Sequence, residues 1–516
     1  MMRGFRSDSG FRLGGICVLF LAFSLRVGLL GNHSMWFDEG LEFWVAKAPL
    51  GELLPTIRAG ILDPPLYSVM LHYWMGLGTQ EIMLRFLSIA LSMLMVSSLM
   101  LAAKRWLGVF AGLSVGLIVT VSASQIYYAQ EIGQYALMSL ALVINLLALE
   151  RALHTGMRRA WWIWAGAAIL CVYSYYGAAI SVAAVVFASA LELIMRRQWR
   201  QLAQLAIASA GVVLICAPLA LFFIPMQLPR GPGNGVIVAR LSSFLNEVRG
   251  LIEASKHVIQ FQVVGSGSPA FGREIPDWSI WLPIVVALVL AVSNASHWNS
   301  MDRRLVVWLI SVWGFYALAG KLNVLPFGGF RHSLIIAPLL LLVIALGIKC
   351  ARRVHWGLSS ALLIWLITMS LSALPQAPGG ESLVASYWRR NRLAGEPTYV
   401  YYGAVPTFSY YTGPKDIPVN VGQPGTLWYM ACWAGYDSCP HHDGVFYGTW
   451  FRGQEPALQV SAMQQMLGDW PRRLWLIFSH THKDEDRRIL DQLQGLGYSI
   501  VGREGANGAL AVILER

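Results

Sequence analysis

Runs of roughly 17 to 25 apolar residues, the length of a membrane-crossing helix, recur along most of the chain. They fall near 13–31, 82–103, 108–123, 133–149, 160–176, 178–195, 203–224, 278–296, 305–320, 333–349 and 356–374. The pattern predicts a mostly α, polytopic transmembrane helix bundle of about eleven spans. Between the runs lie short basic pairs: Lys104-Arg105, Arg158-Arg159, Arg196-Arg197, Arg303-Arg304 and Arg352-Arg353. With the N-terminus inside, this set of spans puts every pair on the cytoplasmic face and the last segment outside, as the positive-inside rule asks. Arg3, Arg6 and Arg12 precede the first run in the manner of a signal peptide. No small-residue cleavage pattern precedes Asn32-His33, so a retained first helix is expected.

One apolar segment fits poorly as a crossing. If Pro64 to Gly78 spanned the membrane, Lys104-Arg105 would fall outside; charge bias therefore favours an interfacial or re-entrant helix along the outer surface, with an ordinary crossing as the alternative. Residues 32–81 then form an outer loop carrying a helix from about Glu39 to Ala48 and the surface helix. A second outer loop, 225–277, opens with a Pro/Gly-rich run and reads as a helix near Ser242 to Gln260. Residues 1–375 with these two loops form the membrane module. Beyond, Thr398 to Tyr402, Arg473 to Phe478 and Leu510 to Leu514 read as strands and Asp484 to Leu496 as a helix, so residues 376–516 are expected to fold as a small extracytoplasmic α/β domain.

Composition agrees with a membrane protein. The 516 residues are 56% hydrophobic and only 13% charged, against about 25% charged in soluble proteins. The net charge of +11 comes from the loop doublets and not from a basic patch, which argues against a nucleic-acid partner. The absence of an internal repeat weakens a transporter built on inverted repeats. Of the six cysteines, Cys432 and Cys439 lie in a polar region and would close a small disulfide loop if that region is outside the cytoplasm.

Four stretches carry candidate chemistry. Met35-Trp36-Phe37-Asp38-Glu39-Gly40 sets adjacent carboxylates among aromatics at an interface, where an acid is costly without a partner or a task. The plainer reading is a helix start, with Asp38 capping and Glu39 and Glu42 on the first turns. Asp63-Pro64-Pro65-Leu66-Tyr67 gives the surface helix a rigid entry and holds Asp63 at the same boundary. Ser124 to Tyr135 is a Tyr-rich polar hinge between spans, offering Gln130, Glu131 and Tyr135, or else an ordinary interfacial belt. Arg331-His332 opens the tenth span; an outer-face cation beside glycines suits a lipid phosphate, and a snorkelling arginine is the simpler account. His441-His442-Asp443 and His480-Thr481-His482 lack metal-ligand spacing and read as solvated loops.

The order of these motifs resembles the bacterial family 39-type glycosyltransferases of the GT-C class, relatives of protein O-mannosyltransferases and the lipid A aminoarabinose transferase. The resemblance covers most of the chain, including the outer C-terminal domain. It implies a cell-envelope enzyme of glycosylation in the plasma membrane, moving a hexosyl or pentosyl group from a polyprenyl-phosphate donor to a glycan, lipid or protein acceptor on the outer face, with inversion. Asp38 matches the family's essential first-loop acid and Glu39 its neighbour. The chain departs from the family at Asp63, where His or Lys is usual, and at Gly133, where Arg is common. Both changes remove a cation, so the donor phosphate falls to Arg331 and His332, with Lys321 or Arg58, or to a divalent ion (Mg or Mn) shared by Asp38, Asp63 and Glu131. Asp38 is the expected catalytic group; Glu39, Asp63, Tyr67, Gln130, Glu131, Tyr135, Arg331 and His332 are the expected substrate contacts. Two readings from other classes stand beside this one: a lipid or sugar transporter, and a catalytically silent scaffold whose outer domain binds a partner.

Overall fold

The computed structural model describes residues 2–28, 30, 34–59, 63–227, 244–263, 277–322, 324–328, 331–354, 356–372, 380–413, 426–435, 444–450, 455–482, 484–506 and 508–516. The chain packs as two compact units, each assembled from separated segments. The first comprises Met1–Leu30, Arg85–Ala220 and Val236–Gln376; the second comprises Gly31–Leu84, Leu221–Gly235 and Ala377–Arg516. The expected boundary at 375 groups the outer loop 32–81 with the spans, whereas packing groups it with the C-terminal residues.

Helices dominate, as the apolar runs require. Among the described residues six are long and apolar enough to cross a membrane: Ser9–Gly28, Glu81–Leu107, Tyr135–Thr155, Ala178–Met195, Trp199–Gln227 and Ser300–Lys321. Val109–Val121 and Ala123–Gln130 make a seventh if the pair, bent by 63°, is one span. Four more of the expected spans form the helices Arg158–Ser174, Asp277–Ser293, Ala337–Val354 and Trp356–Ser372. At 17 or 18 residues these are only about 26 Å long, the lower edge of a ~30 Å hydrocarbon core. Leu339 to Leu346 are buried without interruption, so this stretch of Ala337–Val354 is apolar on every face because protein surrounds it.

The second unit joins the outer loop to a small sheet. Pro65 starts the helix Pro65–Trp74, continued by one 3₁₀ turn, Met75–Leu77. Ten residues rise only about 15 Å, half of the hydrocarbon core, so this helix is shorter than a crossing needs. The Phe37–Ala46 helix packs on Val405–Thr412 through Trp44, whose Nε1 donates to the Pro406 carbonyl at 3.0 Å. Gly40 makes that approach possible: a Cβ there would meet Thr407 Cγ2 at 3.0 Å and the Pro406 backbone at 3.1 Å. Tyr411 adds a tie, its hydroxyl accepting from Met35 N–H (2.8 Å) and donating to Glu81 Oε2 (2.7 Å).

The sheet has strands β1 (Thr398–Val400), β2 (Val445–Tyr447), β3 (Arg473–Ser479), β4 (Ser499–Ala506) and β5 (Ala509–Glu515), in the order β2-β1-β3-β5-β4. β1 runs parallel to β2 and β3, and β5 antiparallel to β3 and β4. The expected helix appears as Glu485–Gly495, placing Ile489 and Leu493 in one core with Leu476, Phe478 and Val512. β2 is only three residues long, and β4 is an exposed edge interrupted by Gly502 and Gly505; neither carries a legible period.

Candidate functional site

In the second unit, Trp36 is the N-cap of Phe37–Ala46, so Asp38 and Glu39 occupy its first turn, where the helix dipole favours carboxylates. Their environments differ. Glu39 is fully buried and reaches back to accept from the Trp36 backbone N–H at 3.1 Å. Glu42, 3% exposed, accepts from Ser68 Oγ of Pro65–Trp74 at 2.6 Å. Burial, reinforced by the charge of Asp38, pushes the Glu42 carboxyl up to about 7, against the Ser68 hydrogen bond. A carboxyl held there takes a proton readily near neutral pH, which limits the negative charge gathered beside Asp38. Asp38 alone of the three acids is not buried.

Further groups frame this stretch. Glu381 accepts from Ser34 Oγ and Ser479 Oγ, each at 2.9 Å. Its carboxyl is shifted upward by burial and by nearby Glu39, against those two bonds. The Phe37 ring stacks on His480, with centroids 4.7 Å apart and planes 3° from parallel, while His480 stays exposed at a bend. Tyr67 is buried on the helix that carries Ser68, while Asp63 is half-buried and its carbonyl accepts from Gln227 Nε2 at 2.8 Å. Arg58 spends its Nε on the Phe222 carbonyl at 2.7 Å.

The first unit holds the hinge and the Arg331 turn. The chain breaks at Ser122 and again after Gln130, and the hinge is not a solvated belt: Gln130 is 0%, Glu131 2% and Tyr135 5% exposed. Arg26, in the first span, organises this break. Its guanidinium is fully buried and donates to Ser92 Oγ (3.0 Å) and to the Val119 and Thr120 carbonyls (3.4 Å each), the last turn of Val109–Val121. A cation there satisfies carbonyls that have no intrahelical partner and meets the negative end of the helix dipole. Gln130 Nε2 donates to the Arg26 carbonyl.

Rings continue the connection. Tyr128 packs edge-on to Tyr135 at 4.9 Å, Tyr135 lies 6.3 Å from Tyr175, and Tyr175 stacks with His332 at 6.2 Å. The Tyr175 hydroxyl and His332 Nδ1 share a hydrogen bond. Burial, with the charge of Arg331 beside it, pushes His332 down to about 4. His332 is therefore a neutral hydrogen-bonding group near pH 7. Gln262 Nε2 donates to Ser333 Oγ at 2.7 Å, and the Gln262 carbonyl accepts from Ser122 Oγ at 3.4 Å, so the Phe244–Val263 helix pins the turn to the break.

The first unit thus brings Gln130, Tyr135 and His332 into one connected network with Glu131 buried next to Gln130 in the chain, while Asp38, Glu39, Asp63 and Tyr67 belong to the second. Among the described residues no three His, Cys, Asp or Glu side chains are grouped to hold a metal; of the expected Mg or Mn ligands, Asp38 and Asp63 belong to the second unit and Glu131 to the first. Cys432 is disulfide-bonded; Cys439 and His441-His442-Asp443 lie outside the described residues. Arg26, Tyr175, Gln262 and Glu381 escaped sequence reasoning. Only Arg26 carried a local signal, a lone charge inside an apolar run.

No protein-family model matches the chain, and no curated protein matches it by sequence. Solved structures do. ArnT from Cupriavidus metallidurans bound to undecaprenyl phosphate superposes with a TM-score of 0.56 at 14% identity, covering 96% of this chain and 97% of that one. The same protein in the apo state gives 0.53 at 12% identity, covering 99% and 98%. The chain has the GT-C fold. An oligosaccharyltransferase from Archaeoglobus fulgidus is a looser likeness, at 0.45 and 12% identity over 89% and 67%, and nothing here rests on it. The GT-C fold and the apolar helices make this a multi-pass membrane protein, as the pattern of spans implies.

Proposed function

We propose that the protein is an inverting glycosyltransferase of the plasma membrane that moves a sugar from a polyprenyl-phosphate donor to an acceptor hydroxyl at the outer face. The full-length likeness to an ArnT structure holding undecaprenyl phosphate carries this reading. Asp38 is its base: it takes the proton of the acceptor hydroxyl as the acceptor oxygen bonds to the anomeric carbon. The bond from that carbon to the phosphate oxygen breaks on the opposite side, its electron pair leaving with the phosphate. Arg331 meets the charge that develops there, a role suited to a forked guanidinium. Neutral His332, fixed by Tyr175, orients the Arg331 turn and adds no charge. Because a phosphate leaves as a stable anion, no second carboxylic acid has to protonate it, in contrast to ordinary glycoside hydrolysis. Glu39 and Glu42 hold the helix on which Asp38 stands.

The test supplies purified protein in vesicles with a labelled polyprenyl-phosphate sugar and an envelope extract as acceptor source. Transfer of label, or slow release of sugar to water, is expected. Movement of the intact labelled lipid across the bilayer without release overturns the reading in favour of a transporter. Inert behaviour in both assays overturns it in favour of a scaffold.

A further inference from the structure

A cavity of about 610 Å³ lies in the first unit, away from both the hinge and the Arg331 turn. Its wall is assembled from the ends of apolar helices: Arg105 near the end of Glu81–Leu107, Glu150 near the end of Tyr135–Thr155, Arg196 just past Ala178–Met195, Gln201 at the start of Trp199–Gln227, and Arg304 at the start of Ser300–Lys321. Five membrane-spanning helices ending at one polar cavity set it at the boundary between hydrocarbon and water. The three arginines come from three of the basic doublets, so this is the face that the positive-inside rule assigns to the cytoplasm.

The groups in the wall are incompletely used. Arg304 grips Glu192 with two bonds, Nε to Oε2 at 2.9 Å and Nη2 to Oε1 at 2.7 Å, and Arg196 Nη2 lies 3.0 Å from the same Oε1. Arg105 Nη2 lies 3.2 Å from Glu150 Oε2. Three guanidinium groups therefore share two carboxylates, leaving one positive charge and most of their N–H donors unspent. Among the described residues, Glu150 Oε2, Gln201 Oε1 and Trp106 Nε1 are buried at this wall without an aligned hydrogen bond. Glu150 Oε2 has the Arg105 ion pair, whereas Gln201 Oε1 and Trp106 Nε1 have no partner among the described residues; such atoms are uncommon and costly, and two at one cavity favour a polar occupant.

We infer that this cavity binds a phospholipid headgroup whose phosphodiester lies against Arg105, Arg196 and Arg304 and which carries hydrogen-bond donors of its own. Guanidinium forks match phosphate oxygens. The unspent acceptor Gln201 Oε1 matches an ethanolamine ammonium or a glycerol hydroxyl. Gln201 is half-buried and lines the cavity. A choline headgroup offers the phosphate but no N–H or O–H, so it satisfies the arginines and not the acceptor. The lipid is the source of the phosphate because the cavity opens where five spans meet the interface. The inference does not depend on the transferase reading.

Native mass spectrometry of the full-length protein, released from detergent with one added lipid at a time, tests it. Phosphatidylethanolamine and phosphatidylglycerol are expected to remain bound, and phosphatidylcholine to bind about tenfold more weakly, the size of one lost charge-assisted hydrogen bond. The variant R105Q/R196Q is expected to lose retention of all three. The variant Gln201→Leu, which changes no charge, is expected to keep phosphate binding and lose the preference over choline; it also serves if the double variant fails to fold. Equal retention of the choline lipid by the wild type, or unchanged retention by R105Q/R196Q, overturns the inference. Displacement of bound lipid by millimolar inorganic phosphate overturns the lipid source.

Discussion

The Phe37–Ala46 helix and the break between Val121 and Tyr135 face one problem, polar groups held in apolar surroundings, and resolve it differently. The helix start carries three acids within five residues and buries two of them, Glu39 on its own N-cap amide and Glu42 on Ser68. Asp38 is left half-buried between them. The break brings in a distant cation, Arg26, to cap its carbonyls and then extends inward through buried glutamines and tyrosines. The first arrangement buries Glu39 and Glu42 and leaves Asp38 half-buried. The second buries the cation and the glutamines that it joins. In the proposed mechanism, reactive and supporting roles are separated by burial rather than by residue type.

Asp38→Asn breaks the comparison most sharply. It should cut sugar transfer by about 10²- to 10⁴-fold, the usual worth of a general base, while insertion and thermal unfolding stay as in wild type. Transfer at wild-type rate would remove Asp38 from the chemistry. Glu42→Gln probes the satisfied acid beside it. The folded-state pKa of about 7 is raised from 4.5, so the carboxyl's contribution to stability is complete below about 4.5 and is lost as pH rises through 7. A shift of this size is worth about 3 kcal/mol. The variant should therefore unfold at a higher temperature than wild type at pH 8, with the gap closing toward pH 5; a gap independent of pH contradicts the assignment.

Arg26→Met tests the break. It leaves the last carbonyls of Val109–Val121 without donors and should lower stability by about 1–3 kcal/mol, read as a lower unfolding temperature in detergent. Tyr175→Phe is the mildest change. Losing the hydrogen bond to His332 should cost about 1 kcal/mol and raise the His332 pKa, detectable by NMR titration of the ring. No movement of that titration would detach His332 from Tyr175.

Much of the architecture was legible because it follows from period and punctuation. Pro65 starts a helix because its fixed φ suits a first turn, and β3 and β5 read as apolar strands. β2 and β4 were not legible, one being too short and the other an edge with glycines. Twenty apolar residues announce a span, but whether 17 or 18 do depends on what surrounds them, as Ala337–Val354 shows.

The sequence by itself determined that this is a helical membrane protein with a small C-terminal α/β fold, because burial in hydrocarbon and alternation in a sheet are properties of local pattern. It also singled out the acids behind Trp36. Only the tertiary structure decided which of them is held by the fold, that the outer loop packs with the C-terminal residues, and that Arg26 supports a break nearly a hundred residues away. Hydrogen bonds and burial join residues far apart in sequence, and no local pattern carries them.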